Sequence, residues 1–233
     1  MSEAHLVDGE ALQFRNLKYA DLGPVTALNL RAFQDSDTWQ WRFRGVSPSG
    51  LVAITKHFGR KAYFDPHVKC KVAYTSSRPY LGFLAYEQFP HTSSQLSYYQ
   101  KLMNWVNSLY ERFLYWWYDA GAVKRRMQYN EVQYGTALYK TGLFNHPGGF
   151  LHVHLVAVDP EIQKRGIGKA LLNIVHNDAD MHRLPSFLVA STIGFGMYEH
   201  LGYRTAVTTE LRDDETGEIV KISSCMIRDA KKE

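Results

Sequence analysis

The sequence predicts an α/β (α+β) fold, a single domain over 1–233 with a helical insertion at about 90–149, and three observations lead there. Two β-rich runs, 68–75 and 80–89, flank Ser76-Ser77-Arg78-Pro79, a hairpin-like connection that makes the pair antiparallel. A long stretch of helical periodicity then separates this hairpin from a second group of β-rich runs. Within that second group a strand, a glycine-bearing loop and a helix follow one another directly over 151–182.

The remaining elements follow in order. Residues 12–17 alternate as a strand, and 21–33 repeat apolar residues at Leu22, Val25, Leu28 and Phe33 as a helix. Residues 50–64 read as a second helix. In the insertion, Thr92 and Gln95 have the spacing of a capping box, and Leu102, Val106, Leu109, Phe113 and Trp116 recur at helical intervals. Tyr98, Tyr99, Trp105, Tyr110, Tyr115, Trp117 and Tyr118 crowd the same run; a helix packing its aromatic stripe on the sheet is expected, ahead of a direct role in holding substrate. Residues 142–149, with Pro147 and several glycines, close the insertion as a loop. After it come a strand at 151–158, a helix at 166–182, a strand at 186–190, a short helix at 194–200 and closing strands at 203–211 and 220–228. Asp213-Asp214-Glu215-Thr216-Gly217 reads as a solvated hairpin tip.

Composition narrows the partners. With 27 basic and 23 acidic residues the formal net charge is +4, and no basic run is longer than Lys124-Arg125-Arg126. That balance suits an anionic small ligand better than nucleic acid, which calls for a concentrated basic face. The polar, acidic residues 1–10 do not resemble a secretory signal, and no stretch approaches the ~20 apolar residues of a membrane span, so a cytoplasmic protein without a membrane partner is expected. The two cysteines, Cys70 and Cys225, sit in apolar strand-like segments and are expected as reduced core residues; without CxxC spacing, neither a catalytic thiol nor a metal site is expected.

The chemistry concentrates around Gln163-Lys164-Arg165-Gly166-Ile167-Gly168, between the strand ending at Val158 and a helix whose apolar face is Ile167, Leu171, Ile174 and Val175. Glycines at a helix start let a ligand approach the backbone, and the free N–H groups with the helix dipole favour phosphate. The loop lacks the Gly-Lys-Ser/Thr of a Walker motif and the third glycine of a dinucleotide fingerprint, whose place Leu171 takes.

Together with the preceding Val-Ala-Val-Asp-Pro and the following Met197-Tyr198-Glu199-His200-Leu201-Gly202-Tyr203, this loop resembles the GCN5-related N-acetyltransferase superfamily over residues 151–204. The resemblance implies a mixed, mostly antiparallel central sheet flanked by helices and acetyl-CoA as co-substrate. Backbone groups of Val156, Ala157 and Val158 would bind the pantetheine arm, and Gln163, Lys164, Arg165, Gly166, Ile167, Gly168 and Lys169 the pyrophosphate. Tyr198 stands where the family places the tyrosine that protonates the departing thiolate. An asparagine common in the family shortly before the last short helix is absent; Ser191 and Thr192 occupy that neighbourhood, which makes Ser191 the expected contact there.

An amine acceptor, with an ordinary pKa of roughly 10.4 for a lysine-like group, must lose a proton before it attacks a thioester. His152 and His154, two apart on one strand and therefore on one face, are suited to accept it or relay it through water. Their spacing before the loop is similar to the His-x-His of the arylalkylamine N-acetyltransferases. Glu87 and Glu131 are alternative bases. Direct transfer to a small primary amine without a covalent acyl-enzyme is the leading expectation; acetylation of a protein or peptide amine, or a non-catalytic CoA-binding sensor, are the alternatives. A homodimer is compatible with the sequence.

Overall fold

The computed structural model describes residues 5–91, 96–213 and 215–231. A short hairpin, β1 (Leu6–Val7) and β2 (Glu10–Ala11), leads into β3 (Gln13–Asn16), α1 (Leu22–Phe33), α2 (Asp37–Arg42) and α3 (Pro48–Phe64). β4 (Val68–Tyr74) and β5 (Gly82–Phe89) follow, then α4 (Tyr98–Trp117) and α5 (Gly121–Lys140). The chain closes through β6 (Phe150–Val158), α6 (Ile167–His182), β7 (Ser186–Ala190), α7 (Phe195–His200), β8 (Arg204–Arg212) and β9 (Ile219–Arg228). The β1–β2 hairpin and α2 add to the expected elements; neither is long enough to show a period in sequence.

One seven-stranded sheet has the order β3-β4-β5-β6-β7-β9-β8. All neighbours are antiparallel except β6 and β7, whose connection runs through α6. On one face α6 buries Ile167, Leu171, Leu172 and Val175 against Leu84, Tyr86, Leu151 and Val153, each side chain contributing roughly 1.5–3 kcal/mol over exposure. On the other face, Leu22, Val25 and Leu28 of α1 cover β4–β6, while Ala137 and Leu138 of α5 cover Phe150, Phe187 and Ile227 toward β9. Between these two helical groups β6 is partly open, with His154 exposed and His152 and Leu155 half-buried, while β5 stays buried from Gly82 to Glu87.

Local signals explain the helix boundaries. Pro48 occupies the first turn of α3, where Ser47 accepts the Gly50 N–H. The capping box expected from Thr92 and Gln95 lies outside the described residues; α4 is capped by Ser97 and Gln100, which exchange side-chain and backbone hydrogen bonds. Cys70 and Cys225 are free and buried, and burial pushes their thiols up to about 12 and about 11.

Two expectations are corrected. The tip after β8 is not simply solvated: buried Asp213 accepts from the N–H groups of Glu215 and Thr216 and pairs with Arg44 at 2.7 Å. The aromatic stripe of α4 does not pack on the sheet either. Tyr115 is buried, but Tyr98, Tyr99, Trp105, Trp116 and Trp117 are exposed, because α4 packs on α3 and α5 through its opposite side.

Candidate active site

Antiparallel register places Glu87 of β5 directly opposite His152 of β6. One step on, Tyr86 pairs with Val153 but Ala85 pairs with Leu155, so His154 is the extra residue of a β-bulge. The bulge reverses the alternation of β6. Before it, Leu151 and Val153 face α6; after it, Val156 and Val158 do, and Ala157 turns to α1. Glu87, His152 and His154 all lie on the face opposite α6, in the gap between α1 and α5.

Nε2–H of His154 donates to Oε1 of Glu87 at 2.8 Å, and Nδ1 of His152 lies 3.9 Å from the same oxygen. The two imidazole rings are 4.3 Å apart, and that of His152 leans on Phe187 at 5.3 Å. His91 approaches the other carboxylate oxygen at 3.6 Å and in turn lies against His67, ring to ring at 4.1 Å. Burial pushes the His152 imidazole down to about 3, and His154 adds to that against the opposing pull of Glu87. His152 is therefore neutral at physiological pH. Burial alone would raise Glu87, but the hydrogen bond and charge of His154, with His152 and His91, hold it below the usual carboxylate range.

The cluster thus joins an ionised carboxylate to one directly bonded imidazole and one neutral imidazole, an arrangement able to take up and pass on a proton. The ligand atoms of Glu87, His152 and His154 lie within 4.8 Å of one another, close enough to meet on one cation. In sequence Glu87 stands only as an alternative base, since its position depends on the β5–β6 register. His91 and His67 carry no sequence signal at all. Glu131 is exposed on α5, where its charge is felt by Arg42 and Tyr115, and it does not join the cluster.

β6 pairs with β7 only through Leu151, His152 and Val153. Beyond that point β6 continues against β5 to Val158 while, among the described residues, its edge toward β7 has no strand partner. Val156, Ala157 and Val158 lie on this edge; the Gln163 side-chain amide donates to the Val158 carbonyl at 3.2 Å. An extended amide-bearing ligand could pair there as a strand does.

The loop then turns through left-handed conformations at Lys164 (φ 62°) and Gly166 (φ 79°) before α6 begins at Ile167. Lys164, Arg165 and Lys169 are exposed around the first turn of α6, whose leading N–H groups have no intrahelical acceptor, so the site suits an anion. Ile167 is buried in the core and offers only backbone, and Gly168 lies under Met197. The N-terminal segment touches this loop: His5 Nε2 bonds the Arg165 carbonyl at 2.8 Å, and Asp8 pairs with the Arg165 side chain.

Tyr198, on α7, is buried beside Tyr203 with ring centroids 6.0 Å apart, and burial pushes its hydroxyl up to about 12. It belongs to the same apolar cluster as Val156, Val158 and Ile167, on the α6 face where β6 and β7 part. The histidines and Tyr198 therefore approach that opening from opposite faces of the sheet. Ser191, just after β7, accepts the Gly194 N–H at 3.1 Å. A separate groove of about 620 Å³ lies between β4, α3 and the end of α6, lined by Lys69, Tyr86 and Asp178, and takes no part in the cluster.

Comparison with known proteins agrees with this geometry. The acetyltransferase (GNAT) domain family matches residues 121–205, from α5 through α7. An uncharacterized N-acetyltransferase of Schizosaccharomyces pombe is 50% identical over 225 residues, 97% of this chain and 95% of that protein. Among solved structures, the C-terminal condensation domain of Ebony, in complex with beta-alanyl-dopamine, superposes with a TM-score of 0.63 at 12% identity over 95% of this chain and all (100%) of that one. A histone acetyltransferase HPA2 and related acetyltransferase from Corynebacterium glutamicum gives 0.57 at 15% identity over 95% and 98% of the two chains. A phosphinothricin acetyltransferase from Sinorhizobium meliloti, solved with AcCoA, gives 0.51 at 13% over 94% and 88%. The divided sheet, the glycine loop and a relative identical at half of the aligned positions lead to one conclusion: the chain belongs to the GNAT N-acetyltransferases.

Proposed function

We propose that this enzyme acetylates the primary amine of a small molecule, with Glu87 and His154 removing the proton from the ammonium form and neutral His152 positioning it by a hydrogen bond. The observation that carries the reading is the direct bond from His154 to Glu87 at the bulge of β6. Glu87, held ionised, fixes His154 by that bond, and His152 next to it stays neutral and can accept a hydrogen bond from the amine or its water. Acetyl-CoA supplies the activated acetyl group. The free edge at Val156, Ala157 and Val158 would hold its pantetheine amides, with Ser191 nearby. Gln163 to Lys169 would hold its pyrophosphate on loop backbone and the α6 N-terminus. Tyr198 keeps its proton well above neutrality and would give it to the departing thiolate.

Support for a small acceptor comes from the cleft itself. Glu87 lies buried and His152 half-buried beside Phe187, with His154 exposed, so a slender amine reaches the pair from the His154 side. The chain as a single catalytic domain over 1–233, with α5 of the insertion covering the sheet and α4 lying outside it, fits the same reading. The reading uses this pair as a proton acceptor and not as metal ligands, a choice that chelation tests.

The test is release of free thiol from acetyl-CoA with a panel of small primary amines and, separately, lysine-bearing and free-N-terminal peptides. Turnover of small amines is expected, unchanged after dialysis against a chelator. Turnover of peptides alone would replace this reading with protein acetylation, and loss of activity on chelation would reassign the Glu87 cluster to a metal.

A further inference from the structure

The outward face of α4 is an aromatic ridge. Tyr98, Trp105 and Trp116 are 84%, 61% and 73% exposed and fall on one line along the helix, about 27 Å from end to end. Leu102, Leu109 and Phe113 flank that line, and Trp117, 63% exposed, stacks on Phe113 at 5.6 Å. A contiguous exposed apolar surface of this kind marks an interaction site.

Charge indicates what covers it. The helices α3, α4 and α5 together carry nine lysines and arginines against two glutamates, a net +7 where the whole chain is +4. Positive charge is therefore concentrated in these helices, although Arg126 is buried against Glu215 and Lys61 pairs with Glu111. Exposed Lys101 and Arg112 border the ridge, while the only carboxylate of α4, Glu111, turns inward to His57 and Lys61 at 3.6 and 3.1 Å. A second copy packed antiparallel on the ridge would set Lys101 of one chain beside Arg112 of the other with no acid to pair either. Single-stranded nucleic acid is bound in cationic grooves, whereas this surface is convex. Tryptophan and tyrosine over a leucine and phenylalanine flank, bordered by cations, is the composition of a helix that lies in the interface of an anionic bilayer.

We infer that α4 docks the enzyme on anionic lipid surfaces, its aromatic ridge entering the headgroup region and Lys101 and Arg112 beside it meeting lipid charge. It runs counter to the expectation of no membrane partner and requires no spanning segment: among the described residues no helix is long and apolar enough to cross a membrane. It is independent of which amine is acetylated.

The full-length protein should co-sediment with sucrose-loaded vesicles of 30% phosphatidylserine in phosphatidylcholine, with a blue shift in tryptophan emission, and bind pure phosphatidylcholine at least tenfold more weakly. The variant Trp105→Ser/Trp116→Ser/Trp117→Ser should lose binding at least tenfold while retaining thiol release with a soluble amine. Lys101→Glu/Arg112→Glu, which leaves the ridge and the helix core untouched, should weaken binding about fivefold per residue removed or more. Absence of co-sedimentation with phosphatidylserine vesicles overturns the inference. So does a dimer in sedimentation velocity that the tryptophan variant dissociates, or tight binding of single-stranded RNA abolished by the same variant.

Discussion

His154 and Glu87 are joined at 2.8 Å across β5 and β6 because a bulge gives His154 no partner in the ladder. The bulge matters twice. It frees the backbone of His154 from the β5 ladder beside Glu87, and it directly follows Val153, the last β6 residue paired with β7, so the cluster stands where the sheet divides.

Glu87→Gln keeps the size of the side chain but removes the charge that His154 bonds. It should lower kcat/KM by roughly 10²-fold, the lower end of general acid–base contributions, and His154→Gln should do the same. Because the two act as a unit, the double variant should be little worse than either single one. Thiol-release kinetics on the three variants test this, and wild-type kcat/KM in Glu87→Gln would remove the carboxylate from the reaction.

Tyr198→Phe should reduce kcat about tenfold or more with acetyl-CoA affinity within twofold, since the ring packs in the core and only the hydroxyl is lost. Calorimetric titration of CoA measures the second quantity. Between neutrality and pH 10 the wild-type rate should show no limb due to this hydroxyl, whose pKa is raised to about 12.

Acid should destabilise the fold. His152 and buried His176 have folded pKa values pushed down to about 3 and about 4, chiefly by burial, from the ordinary 6.5. Below pH 6.5 the unfolded chain takes protons that the folded chain refuses, so their contribution is complete above 6.5 and is lost as pH falls toward the folded values. Each group adds a slope of up to about 1.4 kcal/mol per pH unit in that window. Depressed Glu87 acts in the same direction below about pH 4.5. Urea denaturation between pH 7 and pH 4 should show the slope, and His176→Gln should flatten it by up to one proton.

Gly166→Ala tests the loop. Gly166 has φ 79°, costing a side chain roughly 1–2 kcal/mol, and a Cβ there would stand 2.6 Å from the His5 ring. The KM for acetyl-CoA should rise about tenfold while kcat changes less than threefold, read from initial rates at saturating amine.

Strong local patterns are legible in the sequence and weak or non-local ones are not. The hairpin at Ser76 to Pro79 and the α6 face of Ile167, Leu171 and Val175 stand where periodicity and turn chemistry put them. β1 and β2, two residues each, and six-residue α2 are too short to show a period. The α4 stripe reads as a core face in sequence because apolar spacing reports that one side of a helix is apolar, not which neighbour covers it. Burial of Asn107 and Leu114 on the other side decides that the stripe faces outward.

The sequence by itself marked an anion-binding turn: a Gly-x-Gly between a strand and a helix favours a backbone anion site through local conformation. It also put two imidazoles on one strand face, since a period of two is local. Only the tertiary structure decided that Glu87 meets them. Residues 87 and 154 are 67 positions apart, and their meeting depends on a strand register and one bulge, which are set by packing against α1, α5 and α6.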